Sequence, residues 1–289
     1  MISSAAVEQP YVTTCPVGCT APFAATGIML AEGPLMRCAE CGQLVSQCTE
    51  TQYRRSLSPF DTSAGTRPDV ESVGRHQAVS ARRVRKVLAL LGNQPRPARL
   101  LDVGCSSGAF LMTARKLGLE TAGVEPAMEA AETARRAGLN VFTGFLEAAH
   151  FPDASFDAAT LIEVIEHLRD PRSLLAECRR VLRPGGILLV TTPKAGSWTV
   201  RLMGSRWEGF NLTAMRGHIS FFNPRSMRII AERTGFELAG IQTRNVRFFE
   251  RGQRPEAIYR AAKMVSELLN WPARLCGKGH DLFAYLRRV

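Results

Sequence analysis

Residues 99–108 read RLLDVGCSSG, and no other stretch limits the fold as tightly. Leu100, Leu101 and Val103 form a short apolar run suited to a parallel strand buried on both faces. Gly104 and Gly108 then permit a sharp turn and a close approach of backbone to a ligand, because neither carries a Cβ. The helical pattern starting near Ala109 aims its first N–H groups at that ligand. A second strand, 120–124, runs into the acid Glu125. A glycine turn followed about twenty residues later by a carboxylate at a strand tip is the geometry that holds a nucleoside, with the acid on the ribose hydroxyls.

The alternation continues down the chain. The pattern predicts strands at 99–104, 120–124, 140–143, 156–162, 187–192 and 236–243, with helices at 108–118, 127–138, 171–182 and 224–234. Pro171 suits the first turn of its helix, and Pro184-Gly185-Gly186 breaks the chain before the next strand. LFAYL at 282–286 reads as a final apolar strand. Strand alternating with helix predicts an α/β protein built on a doubly wound sheet. The excursion 194–217 carries Trp198, Met203, Trp207, Phe210 and Met215, residues suited either to a substrate pocket at the strand ends or to covering the core edge. A helix at 255–269 lies in a second insertion, read as a lid or a contact between two copies of the chain. The expected organisation is a tail and ribbon at 1–50, a linker and helix at 51–95, and the main domain at 96–289 with insertions 193–217 and 245–280.

Five of the eight cysteines fall in the first fifty residues: Cys15, Cys19, Cys38, Cys41 and Cys48. Two close pairs separated by about twenty residues supply the four thiolates of a tetrahedral zinc site. A module this small buries too little surface to fold alone, so the metal would provide the folding energy. Cys15, Cys38 and Cys41 fit that set. The three-residue gap in CPVGC leaves Cys19 and Cys48 as competing fourth ligands. Residues 1–13 read as a loose tail and 52–70 as polar linker. A helix at 71–91 carries Val79, Val84, Val87, Leu88 and Leu91 near one face, and Gly92 ends it.

A net charge of +11 favours acidic partners, such as phosphorylated or carrier-bound small molecules or RNA, unless it is only a solvated basic surface. No run of like charges marks a nucleic-acid arm. No stretch reaches the ~18 apolar residues of a membrane span, and residues 1–12 lack the pattern of a secretory leader, so the expected location is the cytoplasm, without a membrane partner.

Taken in order, LLDVGCSSG, GVEP, FPDASFDAATLIEVIEHLRDP and RRVLRPGGILLVTTP resemble the class I S-adenosylmethionine-dependent methyltransferases, over 97–243 and the chain end. The resemblance implies a seven-stranded Rossmann-like sheet whose last strand is antiparallel, and S-adenosylmethionine as cofactor. It implies that Asp102, Gly104, Cys105 and Gly108 surround the methionine part, that Glu125 and Pro126 meet the ribose, and that Phe145 or Leu146 packs on the adenine, with Glu147 or a backbone N–H nearby. Glu163 joins these contacts. It also implies that the 71–91 helix packs beside the cofactor cleft as part of its lid. Similar ribbons precede bacterial small-molecule methyltransferases, which places this chain with enzymes methylating a small acceptor, most readily on oxygen. An RNA methyltransferase is the alternative, although the motif that follows the ribbon in ribosomal-RNA enzymes is missing. A non-catalytic interaction protein on the same fold is a third reading.

Methyl transfer to a hydroxyl needs alignment and a base. Glu163, Glu166 and His167 are spaced to share one face of a helical turn, as acid/base groups or as ligands of a divalent metal. EVIEH resembles the metal-binding stretch of ubiquinone-pathway O-methyltransferases and of small-RNA 2′-O-methyltransferases, where a downstream histidine at the position of His218 completes the set. His167 and His218 are the candidate bases, while His76, His150 and His280 read as surface or local groups.

Overall fold

The computed structural model describes residues 8–61, 70–93, 96–249 and 254–289. A zinc-ribbon-like unit comes first: β1 (Phe23–Leu30), β2 (Gly33–Cys38) and β3 (Leu44–Val45), then α1 (Glu50–Asp61) and α2 (Val70–Leu91). The α/β core follows with β4 (Arg99–Val103), α3 (Ala109–Lys116), β5 (Glu120–Glu125), α4 (Met128–Arg136), β6 (Val141–Thr143), β7 (Phe156–Ile162), α5 (Pro171–Val181) and β8 (Leu182–Pro193). Its last part holds α6 (Trp198–Met203), β9 (Ser220–Phe221), α7 (Pro224–Arg233), β10 (Phe236–Arg244), α8 (Glu256–Leu275) and β11 (Asp281–Arg288).

Among the described residues the main sheet has seven strands in the order β10-β11-β8-β7-β4-β5-β6. β4, β5, β6, β7 and β8 are parallel, and β11 runs antiparallel to both β8 and β10, as the sequence implies. Leu101, Leu161 and Leu188 bury on one face with α5 and α7 residues such as Leu175 and Ile230. Leu100, Ala158 and Leu189 bury on the other with Val84 and Val87 of α2 and Phe110 of α3. Residues buried on both faces explain why these strands read as unbroken apolar runs.

Several expectations change. α2 is clamped into the second core face through Val84 and Val87, so the helix expected as a lid is a structural layer. The 52–70 stretch opens with α1 instead of linker. Tyr53 and Leu57 sit one helical turn apart, Tyr53 stacks on Tyr11 with ring centres 4.7 Å apart, and its hydroxyl donates to the His167 carbonyl at 2.7 Å. Residues 62–69 of that expected linker lie outside the described residues. The tail is anchored from Glu8 onward: Val12 is buried and the Tyr11 N–H donates to Cys48 O at 2.8 Å. The strand expected from Ile187 begins at Leu182, because Pro184-Gly185-Gly186 is absorbed as a register shift opposite Phe156–Ala158. A Cβ at Gly186 would stand 2.8 Å from Arg183 O and 3.0 Å from Asp157 O, a fit open only to glycine.

The ribbon joins the core through a second, four-stranded sheet, β1-β2-β3-β9, whose last strand belongs to the loop after α6. Asn223 fastens the same junction. Its side chain accepts from Arg225 N and Ser226 N to cap α7 and donates to Cys41 O at 3.2 Å. None of the described helices is long and apolar enough to cross a membrane.

Candidate active site

A cavity of about 780 Å³ lies where the carboxyl ends of β4, β5, β7 and β8 meet, lined there by Val103, Glu125, Ile162 and Pro193. Open α/β sheets place their ligands at these ends. The volume falls in the range of small-molecule sites.

One end is built by the turn after β4. Gly104 has φ +77°, and a Cβ there would stand 2.6 Å from Val164 Cγ2, so the turn tolerates only glycine. It brings the Ser106 N–H to Glu125 Oε2 at 2.8 Å, while Ala127 N–H meets Oε1 at 2.9 Å. Two backbone donors thus fix the carboxylate, and each oxygen keeps a further acceptor site. Burial raises the Glu125 carboxyl above its usual range, against the pull of those two N–H groups. Gly104, Glu125, Pro126, Phe145, Leu146 and Glu163 all line the cavity, as does Glu147. Leu146 is buried in the wall, whereas Phe145 is 68% exposed at the rim.

Asp102, Cys105 and Gly108 stand behind this wall. Gly108 caps α3 in the left-handed region, and a Cβ there would lie 2.2 Å from Leu139 Cδ1. Its glycine therefore answers to helix packing in the core. Cys105 is buried, its Sγ 2.7 Å from where a Cβ on Gly123 would lie. Asp102 accepts from Thr160 Oγ1 at 2.5 Å, and burial pushes its carboxyl up to about 7.

The other end gathers Tyr53, Leu57, His167, Trp207, Met215 and His218. Of the excursion's large residues, Trp207 and Met215 reach the cavity, while Phe210 is buried against Trp207 and Phe221. His167 and His218 pack edge to face with ring centres 4.7 Å apart. Burial lowers His167 to about 4 and His218 to about 3, so both imidazoles are neutral near pH 7. Behind them Glu166 is 1% exposed, and among the described residues neither carboxylate oxygen has a partner at hydrogen-bond geometry. His218 Nε2 stands 3.8 Å from its Oε1. Burial drives the Glu166 carboxyl well above the ordinary range.

Glu166, His167 and His218 each offer a ligand atom within 4.8 Å of one another. Glu163 does not share that face. The chain turns through φ +56° at Glu163, and the 3-10 turn starts only at Ile165, so the expected Glu163-Glu166-His167 trio is replaced by one containing His218. Glu163 faces the cavity near Asp281, whose charge adds to burial in raising its carboxyl.

His280 and Asp281 were not apparent from the sequence as cavity residues. Trp207 Nε1 donates to His280 Nε2 at 3.0 Å, which leaves Nδ1 as the donor to Asp281 Oδ1 at 2.6 Å. His280 is therefore a ring held in place on the wall from both sides instead of a local surface group. The one available sequence signal was the His-Asp pair at the mouth of the last strand.

The ribbon cysteines resolve the open ligand choice. Sγ atoms of Cys15, Cys19, Cys38 and Cys41 lie within 4.8 Å of one another, with Cys15 and Cys41 3.5 Å apart. Tetrahedral zinc thiolates at ~2.3 Å from the metal are ~3.8 Å from each other, so the donor set fits zinc. Gln43 N–H and Arg233 Nη1 approach Cys41 Sγ and Cys19 Sγ, each at 3.4 Å. Cys48 packs elsewhere, with Val12, Val45, Leu212 and Ile219.

The family described as "Methyltransferase domain" matches residues 75–240. A ubiquinone biosynthesis O-methyltransferase of Xanthomonas oryzae pv. oryzae is 34% identical over 102 residues, 33% of this chain and 43% of that protein. A malonyl-[acyl-carrier protein] O-methyltransferase of Serratia marcescens is 31% identical over 164 residues, 56% of this chain and 58% of that protein. The chain spans about half the length of the curated relatives it matches. Among solved structures, a S-adenosylmethionine-dependent methyltransferase from Archaeoglobus fulgidus aligns with a TM-score of 0.52 at 18% identity, covering 73% of this chain and 94% of that one. A geranyl diphosphate methyltransferase in complex with GPP and sinefungin aligns at 0.55 and 15% identity, covering 82% and 100%. These two show the same fold.

Proposed function

Because the chain belongs to the class I S-adenosylmethionine-dependent methyltransferases, we propose that it moves a methyl group from that cofactor to a hydroxyl of a small biosynthetic molecule in the cytoplasm. The observation that carries this is one cavity with a backbone-anchored carboxylate, Glu125, at one end and two neutral histidines, His167 and His218, at the other. The O-methyltransferases among the curated relatives support oxygen as the target.

Bound S-adenosylmethionine supplies the methyl group on an already activated sulfonium. The residues of this chain hold and align. Glu125 takes the ribose hydroxyls on its two remaining acceptor sites, and Pro126 closes that edge. Leu146 and Phe145 cover the adenine from the wall and the rim. Gly104 leaves room for the methionine part, and Glu163 places a carboxyl group at that end. Tyr53, Leu57, Trp207 and Met215 enclose the acceptor and exclude water. His167 or His218, neutral near pH 7, accepts the proton of the acceptor hydroxyl. Cys15, Cys19, Cys38 and Cys41 would hold a zinc with a structural role: the ribbon continues into α1, which carries Tyr53, and pairs with β9, two residues after His218.

One observation favours a second reading of the same end. Glu166, His167 and His218 form a buried set of one carboxylate and two imidazoles, a donor set suited to a divalent cation. Such an ion would lower the pKa of an acceptor hydroxyl and relieve the buried Glu166 carboxyl.

The test is methyl transfer from labelled S-adenosylmethionine into small-molecule and RNA fractions, with and without chelator. Label in a small molecule that survives mild chelation supports the histidine base. Loss of label that manganese or magnesium restores supports the second reading. Label confined to RNA, or none at all, overturns the acceptor proposed here.

A further inference from the structure

The four-cysteine cluster lies inside the main core. Cys15, Cys19, Cys38 and Cys41 belong to the same buried group as Met227, Ile230 and Ala231 of α7. Four thiolates outweigh the two charges of a zinc ion, so the loaded cluster would be a buried anion. A buried anion is costly unless hydrogen-bond donors and a cation meet it.

α7 supplies that cation from its last residue. Arg233 Nη1 donates to Val17 O at 3.1 Å and to Cys19 Sγ at 3.4 Å, and Nη2 donates to Glu40 Oε1 at 3.0 Å. Val17 and Cys19 belong to the first cysteine pair, and Glu40 lies between Cys38 and Cys41 of the second. One guanidinium therefore spans both pairs, a task suited to a planar group with donors in fixed directions. Among the described residues no other cation bonds a thiolate of the cluster. Gly18 shows how closely the core approaches. A Cβ there would stand 2.9 Å from Arg172 Nη1 and 3.5 Å from Arg233 Nη1, so positive side chains of α5 and α7 both close over the first pair.

Cys19 is the ligand that most needs such cover. It is 7% exposed, against 4% for Cys15 and 0% for Cys38 and Cys41. A charge-assisted N–H bond draws electron density from the sulfur and makes it a weaker nucleophile. We propose that Arg233 is a positioning residue of the metal centre: it neutralises and shields the Cys19 thiolate, retains the zinc and protects the site from alkylation. The proposal rests on reading the four cysteines as a zinc site.

Two measurements on the zinc-loaded full chain test it: zinc affinity by chelator competition, and the rate of iodoacetamide alkylation of each cysteine at saturating zinc, mapped by mass spectrometry. Arg233→Gln should weaken zinc binding by about 10–100-fold, the usual loss for an outer partner of a metal ligand. Its Cys19 should be alkylated at least about tenfold faster than in wild type, with Cys15, Cys38 and Cys41 unchanged. A loosened ribbon would instead expose all four. Arg233→Lys keeps a charge without the fork and should fall between the two. Glu40→Gln removes only the exposed ion pair, and Arg228→Gln alters an exposed position on the same helix. Both should stay within about twofold of wild type in each measurement. Wild-type zinc affinity in Arg233→Gln, alkylation no faster at Cys19 or equally faster at all four cysteines, or the full effect reproduced by Glu40→Gln would overturn the proposal while leaving the zinc reading intact. A wild type that binds no zinc would overturn that reading and the proposal with it.

Discussion

At the scale of single residues, two buried carboxyls behave differently because their surroundings differ. Glu125 is met by two backbone N–H groups, whereas Asp102 has one hydroxyl donor and is held up near 7 by burial. A carboxyl whose folded pKa lies above its unfolded value binds extra protons in the folded state. Its contribution to stability is therefore full below about 4 and is lost as pH rises to about 7. Urea denaturation from pH 5 to 8 should show wild type losing stability relative to Asp102→Asn as pH rises, and parallel curves would refute this. At the opposite end of the cavity, His218→Asn should lower kcat by about 10²–10⁴-fold if the imidazole takes the proton. Calorimetric affinity for S-adenosylmethionine should stay within about twofold, since His218 belongs to the acceptor end. Equal losses in affinity and kcat would move His218 out of that role.

Elements show where sequence reading succeeds. β4 and β7 were legible because burial on both faces leaves a largely apolar run, and Gly104 and Glu125 because turn and acid sit at a fixed separation. α1 was hidden because its identity depends on distant partners. Tyr53 and Leu57 look like isolated residues in a polar stretch until Tyr11 and the His167 carbonyl are brought to them. His280 was hidden for the same reason, since Trp207 lies 73 residues away. The ribbon was legible as a metal module but not in its ligand set, because Cys19 and Cys48 differ only in which layer they enter. Zinc content separates them: Cys48→Ser should retain one zinc per chain, and Cys19→Ser should lose it together with cooperative unfolding of the ribbon. Retained zinc in Cys19→Ser would contradict the assignment. Asn223→Ala removes the α7 cap and the bond to Cys41 O together, and should cost about 1–2 kcal/mol in denaturant unfolding of the zinc-loaded chain.

For the whole molecule, the ribbon and the core act as one scaffold for the cavity. The core supplies the glycine turn and Glu125, the excursion supplies Trp207 and His218, and the chain leaving the ribbon supplies Tyr53 and Leu57. The central claim is that Glu125 receives the ribose of a sulfonium nucleoside. Calorimetric titration of S-adenosylmethionine into wild type and Glu125→Gln tests it most directly. The account predicts one site per chain in the wild type and at least about tenfold weaker binding in Glu125→Gln, with both proteins unfolding at similar urea concentrations. Absence of binding to the wild type, or equal affinity in the two, would contradict it.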